Sequence, residues 1–202
     1  MNIRKLHVKQ DFGHNIQCTR PIIDVEITND VFSTSKLGRN RYDGIDICCI
    51  GIIVDDQIIQ IYREPNLDDI VEFKAESISQ VARHSTLHAF NSEFEYHGLR
   101  NYLGINSHAV EEIKPFKGKG WNKDRFFAEL AEDKVINVRM PADPFHGDGK
   151  LAIDSWANGD IETILDHNVV CLLKEHYILE NRDYLYNKYS HRINQQGWYE
   201  IF

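Results

Sequence analysis

The chain has 202 residues, of which 42% are hydrophobic and 27% are charged, and its formal net charge is -8. This length and composition fit one soluble globular domain, and the chain is too short for two domains of ordinary size. The acidic balance argues against a protein that coats nucleic acid by bulk electrostatics, but it allows an enzyme with a local basic groove. No apolar run reaches the roughly 18 residues that a membrane span requires, so we expect no membrane partner.

The predicted strands are short runs that are rich in β-branched residues. "PIIDVEIT" and "IDICCIGIIV" carry Ile, Val and Thr in a proportion that favours strand over helix. Only Asp55 and Asp56 separate the second run from "QIIQIYRE", and this spacing predicts a hairpin. The predicted strands, in chain order, are 21–28, 45–54, 57–64, 85–91 and 135–140.

The predicted helices lie between and after these strands. Gly104 is placed to end one helix, and Asn122 is placed to cap the start of the next. The segment "PADPFHGDGK" at 141–150 has turn chemistry throughout. The predicted helices, in chain order, are 66–83, 92–104, 122–134 and one that begins near Gly159 and contains 164–179.

The order of these elements predicts an α/β fold with a mixed five-stranded sheet flanked by helices. The first three strands are expected to be antiparallel, and the later ones to enter through helical crossovers. We expect a single domain over 1–202, with a core at about 21–180 and a C-terminal tail at about 181–202.

The N-terminal sequence and the cysteines bear on location. "MNIRKLHVKQDFGHN" lacks the apolar run of a secretion signal, so we expect a cytoplasmic protein with reduced cysteines. The cysteines have no CxxC spacing, which predicts neither a zinc knuckle nor a disulfide framework.

Two acids lie close together on the first predicted strand. Asp24 and Glu26 are two residues apart, so both side chains leave the same face of the strand. Neighbouring carboxylates in an apolar strand repel each other and are costly to desolvate unless a cation lies between them. The pair therefore indicates a divalent metal site, or else it is a solvent-facing strand end.

Two further segments extend this pattern. In "AFNSEFE", Asn91 is placed to cap a helix and Glu95 lies in the first turns of that helix. In "HNVVC", His167 lies four residues before Cys171 on the last helix. Alone, each segment is also typical of an ordinary helix.

Together, "DVEIT", "AFNSEFE" and "HNVVC" resemble the DEDD 3'-5' exonucleases of the RNase H-like superfamily, over roughly residues 21–180. In that family four acids hold two divalent ions, usually Mg²⁺ or Mn²⁺, and a His or Tyr orients the attacking water. The resemblance implies that Asp24, Glu26 and Glu95 are metal ligands and that His167 acts with Glu26 in catalysis. It also implies an RNase H-like fold and 3'-5' exonuclease activity on single-stranded DNA or RNA.

Cys171 stands where the family has its final aspartate. A neutral thiol is a poor ligand for Mg²⁺, so one of the two metal positions is expected to be weak. Three interpretations are open. Another acid substitutes, and the candidates are Glu175, Asp143 and Asp148. Alternatively, the chain is a catalytically impaired module that binds nucleic acid or a protein, or the thiol itself matters, with manganese or zinc.

A basic segment and two motif residues are candidates for contacts with nucleic acid. "KPFKGKGWNKDR" concentrates positive charge around aromatic residues, which suits phosphate contacts and base stacking, or else it is a solvated loop. The expected nucleic-acid contacts are Thr28, Asn91, Lys117, Lys119, Trp121 and Lys123.

Overall fold

A mixed sheet with helices on both faces forms the centre of the computed structural model. The structure describes residues 2–30, 42, 44–65, 67–118, 120–196 and 199–200. Within these residues the strands are β1 (Asn2–His7), β2 (Cys18–Ile27), β3 (Ile47–Asp55), β4 (Gln57–Tyr62), β5 (Thr86–Ala89), β6 (Ala109–Glu112), β7 (Phe116–Lys117) and β8 (Tyr199–Glu200). The helices are α1 (Val8–Phe12), α2 (Ile70–Val81), α3 (Ser92–Leu103), α4 (Lys123–Glu132), α5 (Leu151–Ala157), α6 (Ile161–Glu180) and α7 (Arg182–Gln196).

The main sheet has the strand order β1-β4-β3-β2-β5-β6. Strands β1, β4, β3 and β2 pair with one another antiparallel, whereas β5 and β6 run parallel to β2. Helix α2 leads into β5, and α3 is the crossover between β5 and β6. The predicted mixed sheet flanked by helices is thus confirmed, but it has six strands among the described residues instead of five.

The apolar residues of β2 divide between two cores. Ile22 packs with Val169 and Leu172 of α6 in one cluster, whereas Ile23 and Val25 belong to the cluster on the opposite face. This division follows from the two-residue period of a strand. The polar residues at 24 and 26 share the face of Ile22, so they point toward α6.

Several element predictions are corrected by the structure. Residues 135–140 form no strand: the amide of Val135 donates to the carbonyl of Leu130 at the end of α4, and the following residues pack on the core with no partner strand among the described residues. The edge strands β1 and β6 were not predicted, nor was helix α5, and most of the predicted tail is helix α7. No described helix has the length and apolarity needed to cross a bilayer.

Candidate functional site

A cavity of about 280 Å³ lies where β2, α3 and α6 meet. Four acids from these three elements line it, and each is at most 7% exposed. These residues are Asp24 and Glu26 of β2, Glu95 of α3 and Glu175 of α6. Four buried carboxylates in one cavity are electrostatically costly without a compensating cation.

Helix α6 contributes three consecutive turns to the same cavity. His167, Cys171 and Glu175 are four residues apart, so their side chains lie on one face of the helix. That face is turned toward β2 because the apolar residues Val169 and Leu172 pack onto the sheet beside it. The helix begins at a capped end, where the Asp160 carboxylate accepts from the amide of Thr163.

The ammonium of Lys123 lies among the carboxylates. Its Nζ is 3.0 Å from Asp24 Oδ1 and 2.5 Å from Glu175 Oε1. The other carboxylate oxygen of Glu175 accepts from the amide of Phe90 at 3.3 Å. The protein therefore places a positive charge, from the first turn of α4, directly between two of the four buried acids.

A chain of buried amides fixes the orientation of Asp24. Gln60 Nε2 donates to Asn168 Oδ1 at 3.0 Å, and Asn168 Nδ2 donates to Asp24 Oδ2 at 2.8 Å. Asp24, Gly51 and Gln60 pair across three neighbouring strands, so they form one row on the face that meets α6. Gly51 has no side chain in this row, which leaves room for Asn168.

The imidazole of His167 is held by the loop before α5. His167 Nδ1 is 2.7 Å from Asp143 Oδ1, and the Phe145 ring packs against the imidazole at 4.7 Å between centroids. Asp143 is itself fixed, because it accepts from the amides of Phe145 and Gly147 and lies 3.2 Å from the ammonium of Lys174. Since Nδ1 is engaged, Nε2 is the ring nitrogen that faces the cavity.

The environment changes the acidity of the four carboxyl groups in different directions. Burial and the neighbouring Asp24 carboxylate raise the pKa of Glu26 well above its usual value. Burial and the charge of the Glu175 carboxylate likewise raise the pKa of Glu95 well above its usual value. Burial raises the pKa of Glu175 to about 8. Burial would also raise the pKa of Asp24, but the charge of Lys123 outweighs it and the pKa is lowered. A divalent cation bound in the cavity would oppose the raised pKa values, because it favours the ionised carboxylates.

The acid–base character of His167 follows from its partners. Burial lowers the pKa of an imidazole, but here the hydrogen bond to Asp143 and the charge of Glu26 raise it above the ordinary value. The same hydrogen bond, against the effect of burial, lowers the pKa of Asp143. His167 is thus placed to take up a proton inside the cavity while Asp143 stays ionised.

The side chains of Glu26, His167 and Cys171 form a buried cluster that could hold a metal ion. Their ligand atoms lie within 4.8 Å of one another. Among the three acids considered as replacements at Cys171, Glu175 contacts Lys123 in the cavity and Asp143 contacts His167. Asp148 lies at the exposed edge, where its carboxylate accepts from the amide of Lys150.

The residues expected to contact nucleic acid lie in different environments. The Thr28 hydroxyl donates to Asp46, and the Asn91 side chain accepts from Lys114 instead of capping α3, which corrects the predicted cap. Lys117 is exposed on β7.

The basic segment is only partly exposed to solvent. Trp121 is 8% exposed and packs against Phe116, Phe126 and Tyr189, so the predicted stacking platform belongs to the core. The ammonium of Lys123 is engaged inside the cavity. Lys119 lies outside the described residues.

Several residues that build the site were not predicted from the sequence. Gln60, Asn168 and Lys174 act through contacts with residues distant in the chain. Gln60 had one usable signal, since it is a polar residue in the centre of an apolar strand.

No protein-family model, curated protein or solved structure matches this chain.

Proposed function

We propose that the chain is a metal-dependent nuclease that hydrolyses phosphodiester bonds, acting as a 3'-5' exonuclease on the ends of single-stranded DNA or RNA. The observation that carries the proposal is the convergence of Asp24, Glu26, Glu95 and Glu175 beside His167 in one cavity. Hydrolysis of a phosphodiester needs a hydroxide at neutral pH and a positive charge that stabilises the transition state, and divalent ions held by carboxylates supply both.

The residues fit a divalent cation. Carboxylate oxygens are the ligands preferred by Mg²⁺ and Mn²⁺, and the cavity provides them from three elements. Glu95 Oε2 is buried and has no hydrogen-bond partner among the residues that the structure describes, which suits an atom that binds a metal. Asp24, Glu26 and Glu95 would hold the ion, and Glu175 would supply the acid that Cys171 lacks. When bound, the metal would lower the pKa of a water molecule.

The remaining side chains would act on substrate and water. His167 Nε2 faces the cavity and would orient the attacking water or take its proton, while Asp143 keeps the ring in place. A volume of about 280 Å³ is just below the range of small-molecule pockets, which begins at about 300 Å³, so it suits one terminal nucleotide and not a duplex. Lys150 lines the exposed edge of the cavity, where it could contact a phosphate.

The sheet supports an RNase H-like fold as part of this proposal. The resemblance implies antiparallel strands followed by strands that enter through helical crossovers. Strands β2, β3 and β4 form the antiparallel part, and β5 and β6 are parallel to β2. The acids lie on β2 and on the helices beside it, as the motif positions require.

A second candidate function is a module that binds nucleic acid without cutting it. The observation in its favour is Lys123, whose ammonium already bridges Asp24 and Glu175, at the position that a metal ion would otherwise occupy. With Cys171 in place of an acid, the cavity would then need no metal to be stable.

The two candidates are separated by a digestion assay. The protein is incubated with end-labelled single strands of DNA or RNA and Mn²⁺ or Mg²⁺, and Glu26→Gln is compared with Glu132→Gln, an exposed acid of α4. We expect shortening from the 3' end in the wild type and in Glu132→Gln, and none in Glu26→Gln. Digestion that is unchanged in Glu26→Gln contradicts the site. Binding without digestion under every metal supports the module instead.

A further inference from the structure

The cluster of Glu26, His167 and Cys171 combines an oxygen, a nitrogen and a sulfur ligand. His167 Nε2 is 3.4 Å from Cys171 Sγ and 4.0 Å from Glu26 Oε1. All three residues are at most 7% exposed, and all three line the cavity. They come from two rigid elements, β2 and α6, that are packed against each other.

These spacings suit a tetrahedral metal. With bonds of about 2.0 Å to nitrogen or oxygen and about 2.3 Å to sulfur, neighbouring ligands of a tetrahedral Zn²⁺ lie about 3.3 to 3.6 Å apart. The nitrogen–sulfur distance of 3.4 Å already falls in this range. The nitrogen–oxygen distance of 4.0 Å is longer, and a small rotation of the Glu26 side chain would close it.

The surroundings of His167 match those of a metal ligand. A metal-bound imidazole normally donates its second ring N–H to a carboxylate or carbonyl, which fixes the ring and directs the other nitrogen to the metal. Here Asp143 Oδ1 is 2.7 Å from Nδ1, which leaves Nε2 for a metal. Glu95 lines the same cavity, and its Oε2 has no hydrogen-bond partner within the described part of the chain, which is an independent sign of a cation.

We propose that Glu26, His167 and Cys171 form a site for a thiophilic divalent cation, Zn²⁺ or Co²⁺ in preference to Mg²⁺, with its fourth position open to the cavity. Thiolate and imidazole ligands favour such ions, whereas Mg²⁺ requires oxygen ligands in an octahedral arrangement. The site shares Glu26 with the oxygen-rich part of the cavity. It rests on the same cavity as the proposed nuclease, but metal binding can be measured without any nucleic acid.

The same side chains also have the connectivity of a thiol–histidine–aspartate triad, with Cys171 as nucleophile and Asp143 orienting His167. Reactive cysteines occur in electropositive and partly exposed surroundings. Cys171 is instead buried, and the Lys123 ammonium near it is accompanied by the carboxylates of Asp24 and Glu175. Burial and these carboxylates disfavour a free thiolate, but the carboxylates attract a metal that binds one.

Cobalt spectroscopy tests the site directly. Metal-free protein is titrated with Co²⁺, and we expect a thiolate-to-cobalt charge-transfer band in the near ultraviolet, which Zn²⁺ eliminates by competition and Mg²⁺ does not. Cys171→Ser should lose the band. Cys18→Ser should keep it, because Cys18 is a buried thiol outside the cavity whose Sγ donates to the carbonyl of Arg20.

Two other measurements keep the test decisive if Cys171→Ser does not fold. Cys171→Asp should lose the band and shift preference toward Mn²⁺ and Mg²⁺. Iodoacetamide should label Cys171 slowly in the metal-free protein and more slowly with Zn²⁺. The proposal is overturned if the wild type gives no thiolate band, if the band survives in Cys171→Ser, or if Cys171 is alkylated rapidly whether or not Zn²⁺ is present. A thiolate band in a protein that never digests nucleic acid would overturn the nuclease but keep this site.

Discussion

Gly51 is the position where a single methyl group should disrupt the site most directly. A Cβ at Gly51 would lie 2.0 Å from Asn168 Oδ1 and 2.8 Å from a methyl carbon of Leu172. Both distances are far below van der Waals contact, and both neighbours belong to the buried helix α6. In Gly51→Ala, Asn168 must therefore leave its position, and its hydrogen bonds to Gln60 and Asp24 are lost.

The size of the effect follows from these contacts. Overpacking a core costs about 1 to 3 kcal/mol, and each lost buried hydrogen bond costs about 1 kcal/mol more. The lower backbone entropy of alanine in the unfolded chain offsets at most about 1 kcal/mol. We expect Gly51→Ala to lower the free energy of unfolding by about 2 to 4 kcal/mol. The affinity of the folded protein for Mn²⁺ should also fall, because the Asp24 carboxylate loses its fixed orientation.

Gly98→Ala is the matched control. Gly98 lies inside α3, and its Cβ would approach Ile47 no closer than 3.4 Å, which is ordinary contact. Alanine is favoured over glycine in a helix by about 1 kcal/mol, so this variant should be as stable as the wild type or slightly more stable. Urea denaturation and calorimetric titration with Mn²⁺ measure both effects. If Gly51→Ala matched Gly98→Ala in both measurements, the proposed support of Asp24 by Asn168 would be incorrect.

Four further outcomes are expected. Asp143→Asn should keep the fold but lower metal affinity or nuclease activity by about 10- to 100-fold, because His167 loses its orienting carboxylate. Trp121→Ala should destabilise the protein by about 3 to 5 kcal/mol, as a buried aromatic does, without a specific loss of nucleic-acid binding. Metal affinity should rise with pH, because Glu26 carries a raised pKa and must lose its proton before it binds a cation. Burial lowers the pKa of His176 to about 4 from 6.5, so the unfolded chain binds the proton more readily and stability should decrease by up to about 3 kcal/mol as the pH falls from 6.5 toward 4.

Each of these outcomes has a result that would count against it. Full activity in Asp143→Asn would show that His167 needs no orienting partner, and Asp154→Asn, at an exposed position of α5, is the control. A stable Trp121→Ala that binds single strands poorly would restore the predicted stacking role. Metal affinity that is independent of pH would exclude protonated carboxyl groups at the site. The acid-side loss of stability should be absent in His176→Gln and present in His108→Gln, which changes a half-buried loop histidine next to β6.

The central strands were predictable because burial on both faces leaves a continuous apolar pattern. Residues 45–54 carry that pattern, and together with 57–64 they form the hairpin of β3 and β4, joined at Asp55 and Asp56 as predicted. The edge strand β1 was missed because its burial alternates around charged residues. The segment 135–140 was wrongly predicted to be a strand. It is an extended segment that packs on the core, so its burial alternates as in a strand, although it has no hydrogen-bonded neighbouring strand among the described residues.

The residues of the candidate site likewise divide into those that local spacing predicts and those that it does not. The two-residue spacing of Asp24 and Glu26 and the four-residue spacing of His167, Cys171 and Glu175 are local, so the sequence predicts that each set shares a face. The contact between Lys123 and Asp24 joins residues 99 positions apart, and the one between Asn168 and Asp24 joins residues 144 apart. Contacts of this kind depend on how the elements pack, and no short pattern in the chain encodes them.

Anomalous diffraction from crystals soaked in Mn²⁺ tests the central claim most directly, because it locates the cation without relying on turnover. The account predicts an anomalous peak inside the cavity, bonded to carboxylate oxygens of Asp24, Glu26 and Glu95, with the Lys123 ammonium moved away from Asp24. A cavity without a peak, in which Lys123 still bridges Asp24 and Glu175 at saturating Mn²⁺, would contradict it.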